Sequence, residues 1–137
     1  MHATAQHGSG RGASRHDGFK APWLWRALDE RGSKLLTMII VTGVIQARLD
    51  SVDELRRLSL EHVARSRGEP GCQEHGVAID ANDGLRLVFF ERWVDRKSLL
   101  AHFRVPASRM FAKQVAHLTA RPPELATYEA TERALLG

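Results

Sequence analysis

The two longest runs of strand-forming residues carry large apolar side chains on both of their faces. MIIVTGVIQARL, residues 38–49, is rich in β-branched residues, and its apolar side chains fall on both alternating sides. LRLVFFERWV, residues 85–94, has the same property. A strand with two apolar faces must be covered on both sides. The chain therefore has to place material on each face of the sheet that contains these strands.

The segment between the two runs predicts a helix and the first strand of a hairpin. Ser51 followed three residues later by Glu54 matches a capping box, and Gly68 is placed to stop the helix. A Pro70-Gly71 turn leads into CQEHGVAI, a second strand. The turn cluster DANDG, residues 80–84, predicts that this strand pairs with the following run as a hairpin.

The segment after the second run predicts further helix and a last strand. Asp95 is a good N-cap for RKSLLAHF, and Pro106 can open a further helical stretch. ELATYEATE then follows as a strand. The order β-α-β-β-α-β predicts an α+β fold of the ferredoxin-like type, with an antiparallel four-stranded sheet and helices on one face. The other face would stay apolar, which indicates a homodimer whose two sheets cover each other.

Residues 1–37 are predicted to be a flexible extension, and residues 38–137 a single domain. The first 20 residues are rich in Gly, Ser, His and Ala and hold almost no large apolar side chains. The extension contains six basic and three acidic residues, so it carries most of the net charge of +4. The domain has no basic stripe, and nucleic-acid binding is not expected.

The cellular location is predicted to be the cytoplasm, without membrane insertion. The apolar run LLTMIIVTGVIQA is too short to span a bilayer, and no clear signal-peptide cleavage site follows it. Cys72 is the only cysteine, so the chain cannot form an internal disulfide and suits a reducing compartment.

Three stretches carry a resemblance to a known family. MIIVTGVIQARLDSVDEL, ARSRGEPGC and FFERWVDRKSLLAHF occur in the order and with the gaps of the antibiotic biosynthesis monooxygenase family, which the chain resembles over residues 38–131. The resemblance implies the dimeric α+β barrel fold. Members of this family include cofactor-free oxygenases, haem-degrading enzymes and an isomerase of a sugar-derived signal, and a fold alone does not select among such activities.

The first functional hypothesis is a monooxygenase of a quinol or a phenolic, polyketide-type aromatic substrate. The resemblance implies that the deprotonated substrate itself passes an electron to oxygen, so no metal, flavin or other cofactor is expected. The protein would supply a dry pocket, groups that stabilise the phenolate and a proton acceptor. Two alternatives stay open: a non-catalytic domain that binds a small molecule or a partner, and a small isomerase or detoxification enzyme.

Seven residues are the candidates for such a site. His102 and His75 are the candidate proton acceptors, because imidazole exchanges protons near neutral pH. The candidates for substrate binding are Trp93, Phe89, Glu91, Arg92 and Arg109. Trp93 and His102 are expected to contribute to one cavity where the third strand passes into the second helix. A purely structural role is the alternative for both residues, with Trp93 as a packed core side chain and His102 as a hydrogen-bonded packing histidine. Glu91 is unusual because its neighbours are apolar.

Other chemistries have weaker sequence support. Haem-degrading relatives carry an asparagine toward the end of the first strand, where this chain has Gln46 and Arg48. Asn82 is the only asparagine, and it falls in the hairpin turn. Haem degradation is therefore not expected. The Cys and His residues do not follow zinc-site spacing, and no metal site is predicted.

Overall fold

The computed structural model describes residues 37–133 of the chain. The predicted flexible extension lies outside this range apart from Thr37. Seven elements follow one another along the described residues: β1 Thr37–Gln46, α1 Val52–Ser66, β2 Cys72–Asp80, β3 Asp83–Trp93, α2 Arg96–Arg104, α3 Pro106–Leu118 and β4 Glu124–Thr131. No helix among them is long and apolar enough to cross a bilayer.

The four strands form one antiparallel sheet in the order β2-β3-β1-β4. This order and the helical crossovers confirm the predicted ferredoxin-like fold. β1 lies inside the sheet, with β3 on one side and β4 on the other, and its register places Val41 opposite Glu91 and Gly43 opposite Phe89. The two strands with two apolar faces are thus the central pair, β1 and β3.

One face of the sheet packs against the helices and forms the core. One cluster joins Ile45, Leu87 and Phe89 of the sheet to Leu55 of α1 and Val115 of α3. A second cluster lies nearer the β3–α2 junction and contains Ile39, Val41, Trp93 and Leu99. The alternation of side chains along a strand places the strand residues of both clusters on one face of the sheet. The fold therefore has two layers, the helices and the sheet, with both clusters between them.

The opposite sheet face is partly exposed and carries apolar side chains. Val44 and Val88 are half-buried, while Phe90 is 39% and Tyr128 is 55% exposed. Among residues 37–133, no helix packs on this face. The central strands β1 and β3 therefore carry apolar side chains on both faces of the sheet, as predicted.

The starts of the first two helices are built differently from each other. Asp95 caps α2 as predicted, with its carboxylate accepting the Ser98 backbone N–H at 2.7 Å. The capping box predicted at Ser51 is wrong, because the Ser51 side chain makes no hydrogen bond to the first turn of α1. Its hydroxyl instead donates to the Leu118 carbonyl at 2.6 Å and accepts the Arg48 N–H at 3.1 Å. Buried Ser51 therefore connects the start of α1 to the end of α3.

The Pro70-Gly71 turn is present, and it requires a glycine. Gly71 has φ of +81°, a conformation that costs other residues about 1–2 kcal/mol. A Cβ at this position would press on Ser98 Oγ and lie 2.8 Å from Val94 Cγ1. Gly71→Ala is therefore expected to lower the free energy of unfolding by about 1–3 kcal/mol, measured by urea titration. Gly84→Ala, where a Cβ meets no atom within 4 Å, is the matched control. Equal stability of the two variants would contradict this account.

Candidate functional site

A cavity of about 380 Å³ opens between the helices and the sheet, a volume within the range of small-molecule sites. Most of its wall is apolar and comes from both layers of the fold. The apolar part of the lining includes Ile45, Phe89, Phe103, Phe111, Val115 and Leu125. The polar and charged part includes His62, Glu91, His102, Ser108, Arg109 and Glu124.

Three buried histidines from three different elements meet beside this cavity. His62 belongs to α1, His75 to β2 and His102 to α2. Their ring centroids are 5.2 Å apart for His62 and His75, 5.1 Å for His62 and His102, and 5.6 Å for His75 and His102. Each ring offers a nitrogen, and these nitrogens all lie within 4.8 Å of one another. We refer to these three residues as the histidine cluster.

A buried carboxylate connects His75 to Trp93. The sheet register pairs His75 with Glu91 across β2 and β3. One Glu91 oxygen accepts the Trp93 indole N–H at 2.8 Å, and the other lies 3.3 Å from His75 Nε2. Burial opposes ionisation of this carboxyl, but His75 and the indole N–H outweigh that effect and hold the pKa of Glu91 below its usual value. Glu91 is therefore a carboxylate at neutral pH.

A second carboxylate orients His102. Glu69, in the segment between α1 and β2, lies with one oxygen 2.7 Å from His102 Nδ1. An ionised carboxylate only accepts hydrogen bonds, so Nδ1 carries the proton in this contact. In the neutral ring the lone pair is then on Nε2. This arrangement fixes the tautomer of a histidine that lines the cavity.

His62 has the opposite tautomer. Arg65 Nη2 lies 2.7 Å from His62 Nδ1 and also donates to Ser108 Oγ at 3.2 Å. A guanidinium only donates, so Nδ1 accepts and Nε2 carries the hydrogen. Burial, and to a smaller extent the positive charge of neighbouring side chains, lowers the pKa of His62 to about 3. The neutral ring stacks on Phe111 with centroids 4.1 Å apart.

Four of the seven predicted site residues line the cavity. They are Phe89, Glu91, His102 and Arg109. His75 lies behind Glu91 and, at 1% exposure, contacts the cavity residues from within the core. The roles assigned to these residues stay predictions.

Two further residues of the seven lie outside the cavity lining. Trp93 does not form a cavity wall, because its ring is fully buried in the core cluster at the end of β3, behind Glu91. It still reaches His102, with ring centroids 4.8 Å apart. Arg92 lies on the sheet face away from the helices, since successive strand residues point to opposite sides. Its guanidinium lies 3.7 Å from Glu74 and 3.9 Å from Glu132.

Two residues of the site, His62 and Glu69, were not among those predicted from the sequence. The signal for His62 was its place on the apolar face of α1, between the buried Leu58 and Val63. A histidine in such a stripe needs polar partners from elsewhere in the fold. Glu69 lies between helix and turn, where a charged residue is ordinary, and its contact with His102 spans 33 positions of sequence.

The comparisons with known proteins agree with one another. The model of the antibiotic biosynthesis monooxygenase family matches residues 38–114, more than half of the chain. An uncharacterized protein of Synechocystis is 33% identical over 94 residues, which is 69% of this chain; the chain spans 64% of that relative's length.

Solved structures of two bacterial proteins share the fold. Rv0793 from Mycobacterium tuberculosis is 28% identical, has a TM-score of 0.67, and the match covers 71% of this chain and 98% of that protein. A proposed antibiotic biosynthesis monooxygenase from Deinococcus radiodurans is 22% identical, has a TM-score of 0.68, and the match covers 72% of this chain and 98% of that one. The match to the family model shows that the chain belongs to the antibiotic biosynthesis monooxygenase family.

Proposed function

We propose that this protein is a monooxygenase that oxidises a phenolic, anthrone-type or quinol substrate with molecular oxygen and without a bound cofactor. The observation that carries the proposal is the Glu69–His102 pair, which leaves a basic Nε2 on a histidine that lines a largely apolar cavity. Family membership supports the reaction class. An apolar wall suits an aromatic ring, and a dry site strengthens the electrostatic effects of its few polar groups.

The substrate reacts as its enol tautomer, whose phenolic hydroxyl carries one hydrogen of the reacting CH₂ group, and the first step is removal of that hydroxyl proton. His102 Nε2 accepts it, and the resulting imidazolium is stabilised by the Glu69 carboxylate at Nδ1. His62, whose Nε2 carries a hydrogen, can donate to the phenolate oxygen. Arg109 also lines the cavity and adds positive charge for the anion. These three side chains would provide proton acceptance and anion stabilisation from different sides of the fold.

The remaining steps use electrons from the substrate alone. The substrate anion gives one electron to oxygen, and the substrate radical and superoxide then combine to form a carbon–oxygen bond. The peroxide takes a proton from the His102 imidazolium. Loss of the second hydrogen from the same carbon, as a proton, breaks the O–O bond and leaves a carbonyl and water. One CH₂ group and one O₂ thus yield one C=O and one H₂O, so no external reductant is needed.

The test is oxygen consumption by metal-free protein with an anthrone. We expect one O₂ consumed per quinone formed, followed with an oxygen electrode and by the absorbance of the product. His117→Ala, a change of an exposed histidine outside the cavity, should retain the activity. Tight binding of the anthrone with no oxygen uptake above the protein-free rate would overturn the proposal in favour of a small-molecule-binding domain.

We also propose that the protein is a homodimer in which the helix-free sheet faces meet. Phe90 and Tyr128 expose aromatic surface on this face, and burying it would remove apolar area from water. Light scattering should give a mass near twice the 15.3 kDa of the chain. Phe90→Asp should shift the protein to monomer, whereas Leu60→Asp, at an exposed position of α1, should not. A wild-type monomer at micromolar concentration would contradict the proposal.

A further inference from the structure

We propose that His62, His75 and His102 form a binding site for a divalent transition-metal ion. The spacing of the rings carries this inference. A tetrahedral ion with nitrogen ligands about 2 Å away places the centroids of its imidazole rings about 5 Å apart. The three centroid separations in the histidine cluster are 5.2, 5.1 and 5.6 Å. The offered nitrogens lie within 4.8 Å of one another, so ring rotations in place can direct them to a common centre.

The side chains behind the cluster resemble the outer shell of a metal site. A metal-bound histidine usually donates its other N–H to a carboxylate or a carbonyl. Glu69 accepts from Nδ1 of His102, and Glu91 lies 3.3 Å from Nε2 of His75. The nitrogens left to bind an ion are then Nε2 of His102 and Nδ1 of His75. His102 is thus already oriented as such a ligand, and His75 has its Nε2 on the side of Glu91.

His75 gives an independent reason to expect a ligand. It is almost completely buried, and within the described part of the chain neither of its ring nitrogens has a partner with hydrogen-bond geometry. A buried polar atom without a partner is unfavourable for folding. An ion bound at Nδ1 would provide the missing interaction, and Nε2 would then donate toward Glu91.

Carboxylates near the histidine cluster favour the binding of a cation, whereas one guanidinium opposes it. The carboxylates of Glu69 and Glu91 lie next to two of the three rings and offset the charge of a divalent ion. Arg65 opposes binding, because its guanidinium contacts His62 Nδ1. His62 can bind through Nε2 only when Arg65 moves and Nδ1 takes the hydrogen. Three imidazoles select zinc, cobalt, nickel or copper rather than magnesium or calcium.

Metal binding and the proposed base are mutually exclusive states of His102. An ion at Nε2 occupies the lone pair that would accept the substrate proton. Inhibition of turnover by the metal would therefore follow only if the proposed function is also correct. The binding measurement stands by itself, because it detects the ion without any substrate.

The test uses the full chain, stripped of metal and titrated with Co²⁺. We expect one Co²⁺ ion to bind per chain and to give the visible absorption of tetrahedrally coordinated cobalt. His75→Phe should raise the Kd of the Co²⁺ ion that gives this absorption at least about tenfold. The matched control is His117→Ala, which should bind as the wild type does; the histidines at positions 2, 7 and 16 are present in all variants. Unchanged binding by folded His75→Phe would overturn the proposal.

Two further measurements keep the test decisive if His75→Phe does not fold. Arg65→Met removes the positive charge beside His62, so it should bind Co²⁺ more tightly, by about tenfold. Weaker binding by this variant would count against the site. A crystal of the wild type soaked in Zn²⁺ should show anomalous density between the three rings. Density only elsewhere would overturn the proposal.

Discussion

Replacing His102 with alanine is expected to slow oxygen consumption by about 10²- to 10⁴-fold, the usual contribution of general-base catalysis. The variant loses the Nε2 lone pair that would accept the phenolic proton and leaves the carboxylate of Glu69 without its partner. Initial rates at saturating substrate, measured with metal-free protein, give the effect on kcat. Circular dichroism and light scattering show whether fold and mass are retained.

Glu69→Gln separates the orienting role of the carboxylate from the base itself. An amide at position 69 can still contact His102 Nδ1, but it carries no charge to stabilise the imidazolium. We expect a smaller decrease in kcat, about tenfold, with KM nearly unchanged. A folded His102→Ala variant with wild-type kcat would exclude His102 as the base. An equal loss in His117→Ala would point to a general effect on the protein.

Replacing Trp93 with alanine is expected to lower the free energy of unfolding by about 3–5 kcal/mol. The side chain is fully buried beside Val41 and Leu99, so the substitution removes apolar contacts and leaves a cavity. It also removes the N–H that pairs with Glu91. Urea unfolding followed by circular dichroism measures the change, because the fluorescence of this tryptophan is lost.

Trp93→Phe distinguishes ring packing from the hydrogen bond. The smaller ring retains part of the packing but leaves the Glu91 oxygen without the indole N–H. We expect a loss of about 1–3 kcal/mol, the usual cost of an unpaired buried polar group. Trp93→Ala with wild-type stability would show that the packing of the second core cluster contributes little.

Most of the fold was predictable because its signals are local. The β-branched run of β1, the turns before β2 and β3, and the Asp95 cap each act within a few residues. The failed capping box at Ser51 shows the limit of such signals. A hydroxyl near a helix start has several possible partners, and here the Leu118 carbonyl, 67 residues away, accepts the hydrogen bond.

The site was less predictable because its contacts are long-range. His102 and Glu91 were identified from their local context, and both line the cavity. The contact of His102 with Glu69 depends on how α2 packs over the turn after α1. Likewise, the histidine cluster brings together residues from α1, β2 and α2 that no spacing rule connects. Neither the His102–Glu69 contact nor the histidine cluster leaves a pattern in the sequence.

The position of β1 between β3 and β4 has a consequence for the order of folding. β1 is synthesised before the other three strands, but one of its two partners in the sheet is β4. Thr37 of β1 pairs with Thr131 of β4. Closing a loop of roughly 90 residues is entropically unfavourable and slows the formation of such pairs. The hairpin of β2 and β3 can form earlier, because its strands are neighbours in sequence. Since Leu125 of β4 lines the cavity, the binding cavity is completed only when β4 docks on β1.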